Sequence, residues 1–477
     1  MTTSVNPRTG VAFGPDFPDT TSEQIAKSIS RASKAFHTWT NFSPARRALS
    51  LKAIADALDG QIEKLVELAD QETGLGKARL TGEVGRTTFQ IRSFAQALLD
   101  GELLHSSLDD LVDAPLPVGH PRFLRTQKGI GVVAVFGASN FPFAFSVMGG
   151  DTASALAAGC SVVIKAHPAH PQTSQTVFEI AVAALEASGA PAGVIELGHG
   201  FGFGKVVINH PQISAAAFTG SRSGGRALFD MAQVRSNPIP FYGELGSVNP
   251  VIVLKSALVD PAVLANAYLD SLLLGNGQFC TNPSLLFIPE SAEFRAELAA
   301  QMPVREPQPF LSQATMELHG KNRALLRQVP AKEVIFGKSV PSSGFFDRAE
   351  VLIFSASEIV DFAAFQNECF GPTGIVLTYQ DLTRALEILE KLEGALVGSL
   401  FSKDLDNDAL RVVEVLTAKV GRIALNAWPT GVAVTKGQHH GGPYPASTSS
   451  LHTSVGASAI SRFLRPISFQ GFPAEFA

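Results

Sequence analysis

Between residues 22 and 70, apolar side chains recur at helical spacing. Leu51, Ile54, Ala55, Leu58, Ile62 and Leu65 share one face, with charged residues opposite, which predicts an amphipathic helical region. From about residue 129 the pattern changes. Short apolar runs at 131–136, 161–164, 194–197 and 215–218 alternate with helical stretches after Pro142, over 172–188 and near 204–209. That alternation predicts βαβ units and a parallel sheet. A second α/β segment runs from Asn249 to about residue 435, with strands at 251–254, 285–288, 351–354 and 374–377 and helices at 261–274 and 382–392. Two stretches fit neither sheet. Residues 102–128 are polar, contain proline and end in a strand-like run at 122–126, and the tail carries an extended run at 463–472. A strand outside a domain needs an edge to pair with, so an arm is expected, joined either to another subunit or to a sheet of its own chain.

Composition narrows the class. The chain has 477 residues, 45% hydrophobic and 17% charged, the profile of a folded protein of two or three domains. The formal charge of −5 argues against a nucleic-acid-binding surface. The N-terminal stretch has no basic segment followed by an apolar run, and the most apolar stretch, 129–150, is interrupted by Asn140, Pro142 and several glycines. Neither a secretory signal nor a membrane span is expected. Three cysteines, Cys160, Cys280 and Cys369, are few and odd in number, which suits reduced thiols in a cytoplasmic protein.

The candidate chemistry lies in loops. Cys280 follows the glycine-rich stretch 275–279, an unusual place for a packing thiol and one that lets a backbone approach closely. Glu244 is a lone carboxylate between Gly243 and Gly246, either a surface group or a base. Asn140 ends a predicted strand, where its amide either donates to an oxyanion or caps a helix. Phe218-Thr-Gly-Ser221 with Gly225 gives a glycine turn after a strand. Arg226 stands where a P-loop needs lysine, so the turn is either a plain connection or a helix N-terminus facing a pyrophosphate. His167 and His170, and the adjacent His439 and His440, lack carboxylate or cysteine partners at ligand spacing. They are expected to be loop or surface histidines, and no metal is expected.

Taken in order, these segments resemble the aldehyde dehydrogenase superfamily over nearly the whole chain. The matches are the runs at 136–142, 163–165, 218–221, 244–246, 277–280 and 368–372. A narrower resemblance, to the α-ketoglutaric semialdehyde (2,5-dioxopentanoate) dehydrogenases, is carried by 83–92, 437–447 and 463–466. The resemblance implies an α/β fold of three parts. A modified Rossmann dinucleotide-binding domain would span 1–109 and 129–245, a catalytic α/β domain 246–440, and a small oligomerisation arm 110–128 and 441–477. The arm implies a homodimer or homotetramer. The implied reaction is NAD(P)-dependent oxidation of an aldehyde to a carboxylate, with other semialdehydes and fatty aldehydes as alternative substrates.

The resemblance also assigns roles. Cys280 would be the nucleophile, Asn140 and the Cys280 N–H the oxyanion donors, and Glu244 the base for thioester hydrolysis. Lys165, His167, Gly220, Ser221, Gly225, Leu245, Glu368 and Phe370 would hold the dinucleotide. Arg86 or Arg92 would bind a substrate carboxylate. Two departures stand out. Pro168 replaces a glutamate common in NAD-preferring members, which favours NADP, with His167 and Lys205 as partners for the 2′-phosphate. Ser139 replaces a frequent tryptophan, which implies a more open entrance. Glu244 argues against a CoA-acylating enzyme. A cysteine hydrolase would need a histidine partner for Cys280 that no sequence context singles out. An inactive binding protein on this fold fits poorly with Cys280, Asn140 and Glu244 all present.

Overall fold

The computed structural model describes residues 1–101 and 107–473. Residues 102–106, in the predicted polar stretch before the arm, and 474–477, the end of its tail, lie outside the described residues. The chain opens with a hairpin, β1 (Thr2–Asn6) and β2 (Val11–Phe17), that the apolar pattern does not predict because only one of its strand residues, Ser4, is buried. The predicted helical region is divided into α1 (Ser22–Trp39), α2 (Pro44–Asp59) and α3 (Ile62–Thr73), followed by α4 (Lys77–Asp100). The breaks have local causes. Thr21 and Gln24 cap the start of α1 reciprocally. Ser43 caps α2, and Pro44 in its first turn has no N–H with which to continue α1. Gly74, in the left-handed region, ends α3.

After β3 (Ser107–Asp109) and β4 (Phe123–Gly129) comes the predicted alternation. It consists of β5 (Val132–Phe136), α5 (Gly150–Ala158), β6 (Ser161–Lys165), α6 (Pro171–Ala187), β7 (Ile195–Gly198), α7 (Phe203–Asn209), β8 (Ile213–Thr219), α8 (Arg222–Gln233) and β9 (Phe241–Glu244). These strands form a parallel sheet in the order β7-β6-β5-β8-β9. Both faces are covered, as the continuous apolar runs require. Val133, Val135, Val162 and Ile164 pack toward α2, α4, α5 and α6. Val132, Ala134, Phe136 and Val163 pack toward α1, α7 and α8. Each buried valine or isoleucine contributes about 1.5–3 kcal/mol. The strand order reverses direction at β5, which places a crevice at the carboxyl ends of β5 and β8.

The second segment comprises β10 (Pro250–Val253), α9 (Pro261–Leu273), β11 (Leu285–Pro289), α10 (Ala292–Gln301), α11 (Gln313–Leu326), β12 (Glu333–Phe336), β13 (Glu350–Ser355), β14 (Thr373–Tyr379), α12 (Leu382–Leu389), β15 (Ala395–Phe401), α13 (Asn407–Lys419) and β16 (Val420–Leu425). Its sheet runs β12-β13-β14-β11-β10-β15-β16, parallel except for the edge strand β12. β12, β15 and β16 add to the four strands read from the sequence.

The tail strand β17 (Leu464–Gln470) pairs antiparallel with β4 over seven residues, and β4 pairs with β3. Of the two pairings left open by the sequence, the chain uses the one within itself. The helix expected directly after Pro142 begins only at Gly150. The intervening turns are held instead by the buried carboxylate of Glu83, which accepts the N–H groups of Phe143 and Ala144. Among the described residues, no helix is long and apolar enough to cross a membrane.

Candidate active site

A cleft of about 920 Å³ runs between the carboxyl ends of the first sheet and the loops that enter β11 and β14 of the second. The first sheet supplies Asn140 after β5, His167 and Pro168 after β6, Gly220 and Ser221 before α8, Glu244 at the end of β9 and Leu245 just after it. The second supplies Cys280 before β11, and Glu368 and Phe370 before β14. Two of the predicted dinucleotide residues do not line it. Lys165 is largely buried, with its ammonium near the carbonyl of Ala166. Gly225 lies beneath the wall, where a Cβ would come within 2.1 Å of Leu245. Glycine is therefore required there by packing.

The turn before Cys280 is tightly determined. Gly275, Asn276 and Gly277 all adopt positive φ, and a Cβ at Gly277 would meet the Gly371 carbonyl at 2.2 Å. Asn276 is one of the residues that tolerate this region. The buried Gln278 side chain ties the turn to Gly275, Pro309 and Leu311. Asn249 donates to the Cys280 carbonyl at 2.8 Å. Asn140 donates through Nδ2 to the Gln278 carbonyl at 2.9 Å, so its amide points at the nucleophile turn. Arg79 donates to the Asn140 carbonyl at 2.7 Å, and its guanidinium lies near the rings of Phe141 and Phe279. Arg79, Glu83 and Asn249 escaped the sequence reading, because their partners are distant in the chain.

His440 lies in a loop, one of the two alternatives expected, but it is not a surface residue. His440 is 3% exposed, and its Nε2 lies 3.7 Å from Cys280 Sγ and 3.1 Å from Glu244 Oε2. The thiol, imidazole and carboxylate atoms all lie within 4.8 Å of one another. The partners come from β9 and from the loop before β11, so no local spacing in the sequence reveals them.

The electrostatics follow from burial. Burial alone would raise the Glu244 carboxyl, but His440, Cys280 and Ser454 bring it below its ordinary value. Burial, joined by the charge of Glu244, pushes the Cys280 thiol well above its own. Burial also raises Glu368 to about 8, against one stabilising N–H from Ser247. Burial, with His170 and Lys165 nearby, drives His167 far below its ordinary value, and its Nδ1 accepts the Ala169 N–H. His167 is thus a neutral donor at neutral pH, not a cation for a phosphate. Lys205 is exposed on α7 and does not line the cleft. Arg222 and Arg226 do, the first paired with Glu393 and the second with Asp230.

The two candidate arginines part company. Six residues along a helix is a rotation of about 240°. Arg92 turns outward and is held by Asp56 and Asp59 at 2.5 and 2.7 Å. Arg86 turns inward, above the ring of Phe145 at 5.2 Å, where its charge is felt first by Glu83 and then by Cys280 and Glu244. Its Nη2 reaches the Val432 carbonyl at 3.4 Å, and its buried Nη1 has no hydrogen-bond partner among the described residues.

A nucleophile turn and an amide donor facing a crevice at the switch point of a parallel sheet define an enzyme, and comparison with known proteins identifies its class. The chain belongs to the aldehyde dehydrogenase family, whose model matches residues 2–466. It is an NAD(P)-dependent oxidoreductase of aldehydes. It is 41% identical to alpha-ketoglutaric semialdehyde dehydrogenase 2 of Azospirillum brasilense over 94% of this chain and 87% of that protein. It is 39% identical to alpha-ketoglutaric semialdehyde dehydrogenase of Acinetobacter baylyi over 95% of this chain and 88% of the other. Among solved structures, lactaldehyde dehydrogenase from Escherichia coli superposes with a TM-score of 0.84 at 22% identity, covering 98% of this chain and 94% of that one. 1-Pyrroline-5-carboxylate dehydrogenase from Thermus with bound NAD gives 0.83 at 20% identity, covering 98% and 89%.

Proposed function

We propose that this protein oxidises 2,5-dioxopentanoate (α-ketoglutaric semialdehyde) to 2-oxoglutarate. The observation that carries the substrate is Arg86, whose buried, unpartnered guanidinium nitrogen lies in the neighbourhood of the Cys280 and Glu244 charges. A semialdehyde that ends in a carboxylate satisfies it, whereas a fatty aldehyde leaves that nitrogen without a hydrogen-bond partner. The names of the two relatives at 41% and 39% identity support the same substrate.

The residues divide the work as follows. Cys280, as thiolate, attacks the aldehyde carbon and forms a thiohemiacetal. Asn140 and the Cys280 N–H donate to the oxyanion. The dinucleotide, when bound, supplies the acceptor for the two electrons and the hydrogen lost by the substrate. The cleft fits such a group. It lies at the switch point of the parallel sheet, and α8 presents its N-terminus at Ser221. It is also kept open by glycine, since a Cβ at Gly246 would come within 2.7 Å of Glu368. Glu368 and Phe370 would hold its nicotinamide end, with Gly220 and Ser221 at the pyrophosphate. His167, on the cleft wall, would serve the adenosine ribose, and Lys165 would do so only by turning its ammonium away from the Ala166 carbonyl. Glu244 takes a proton from the water that hydrolyses the thioester, which favours release of an acid over transfer to CoA.

NADP is the preferred dinucleotide in this reading, since Pro168 puts no carboxylate against a 2′-phosphate and Arg222 and Arg226 lie along the cleft. The three unpaired thiols suit a reducing, cytoplasmic setting. Leu108, Leu111, Val112, Leu116 and Val118, all exposed on the arm, are the surface for a homodimer or homotetramer. The test is a steady-state comparison of α-ketoglutaric semialdehyde, succinic semialdehyde, glutaraldehyde and a long-chain aldehyde, each with NAD and NADP. The highest kcat/KM is expected for the first with NADP. A higher value for the long-chain aldehyde rules the substrate out.

A further inference from the structure

We propose that His440 is a further catalytic residue, the acceptor of the Cys280 thiol proton. The inference rests on the reading above, which makes Cys280 the nucleophile. Its basis is geometric. His440 Nε2 is 3.7 Å from the sulfur, within reach of a sulfur hydrogen bond, and 3.1 Å from Glu244 Oε2. A nitrogen lone pair and a carboxylate oxygen at that distance repel one another unless a proton lies between them. With the ring hydrogen on Nδ1, Nε2 is free to accept the thiol proton, and that proton then lies between the two and removes the conflict.

The transfer breaks the S–H bond and forms an N–H bond. It leaves thiolate, imidazolium and carboxylate side by side, so the cation stands between two anions. Without that cation, burial and Glu244 both oppose the thiolate. Imidazole suits the task because a ring nitrogen can take up a proton and return it within one turnover. The ring is held for it. The His440 N–H donates to Thr453 at 2.9 Å, its carbonyl accepts the Ser454 N–H at 2.9 Å, and Phe145 lies against the ring. When hydrolysis expels the thiolate, Nε2 returns the proton to sulfur. The proton that Glu244 takes from water leaves to solvent and the carboxylic acid product loses its own, so each turnover to carboxylate releases two protons.

Several other groups set the local field. Arg86 approaches from α4, and His439 is the neighbour in the same loop. Asp151, Tyr242, His452 and Arg462 line a small cavity shared with His440 and Glu244.

The experiment is the rate of Cys280 alkylation by iodoacetamide as a function of pH, on the full chain without dinucleotide or aldehyde. Wild type is expected to react with an inflection below the free-cysteine value of about 8.5. His440→Phe and His440→Gln should each lose that low-pH limb and react about tenfold more slowly at pH 7. A second measurement needs no His440 variant: the thiolate ultraviolet absorbance of wild type minus Cys280→Ser, titrated with pH. Unchanged alkylation in both variants, or a thiolate that forms only above the free-cysteine range, overturns the proposal. A low-pH thiolate in a protein that reduces no dinucleotide with any aldehyde supports the proton transfer and overturns the oxidation reading instead.

Discussion

Replacing Glu368 by glutamine tests whether this carboxyl is desolvated on the cleft wall. Glu368 is half-buried on the cleft wall beside Gly246, and its acidity is displaced from the ordinary 4.5 to about 8. The folded protein therefore holds this proton where the unfolded chain has released it. Between about pH 4.5 and 8 the folded state binds the extra proton, so its stability falls as pH rises through that window and levels off above it. At about 1.4 kcal/mol for each tenfold change in acidity, the ionised carboxylate costs about 5 kcal/mol above pH 8. Glutamine keeps an acceptor for the Ser247 N–H and carries no charge. The assay is the melting temperature of dinucleotide-free wild type and Glu368→Gln at one heating rate from pH 5 to 9, because their difference cancels every other titrating group. The variant should match wild type near pH 5 and gain on it steadily, by several degrees, up to about pH 8. A difference that stays constant with pH refutes the reasoning.

Asn140→Ala should lower kcat by about 10²–10³ with little change in KM, read from steady-state rates, because the amide acts on charge that develops only after attack. Arg86→Gln should lower kcat/KM for α-ketoglutaric semialdehyde by about 10–100-fold and leave a neutral aldehyde of similar length nearly unaffected, the loss of one charge-assisted hydrogen bond. Arg92→Gln, whose partners are Asp56 and Asp59, should change neither. Pro168→Glu should shift the ratio of kcat/KM for NADP over NAD toward NAD by about tenfold or more, because it sets a carboxylate on the cleft wall.

The parallel sheets were legible because strands buried on both faces must be continuously apolar, and 131–136, 162–164, 285–288 and 351–354 are. The glycine-bracketed segments around Cys280 and Glu244 stood out for a similar reason: such backbone is a costly place for a packing residue. β15 was harder to see, since Gly398 and Ser399 interrupt its run, and the hairpin at residues 2–17 buries too little to leave a pattern. The separation of Arg86 from Arg92 needed the surroundings of α4, because helical spacing says that two side chains diverge but not which one meets the interior.

Periodicity, capping residues and glycine placement are local properties, and they determined from the sequence alone the α/β class, most of the element order and the loops that carry chemistry. Proximity across the fold is not local. His440 reaches Cys280 and Glu244, Asn249 holds the Cys280 carbonyl, and Glu83 anchors the loop after Asn140 across 60 residues of chain. Burial, and with it the acidity of Glu368 and the neutrality of His167, exists only once the two sheets enclose the cleft. Those facts were decided by tertiary structure, because desolvation and charge pairing depend on distances in space that sequence separation does not encode.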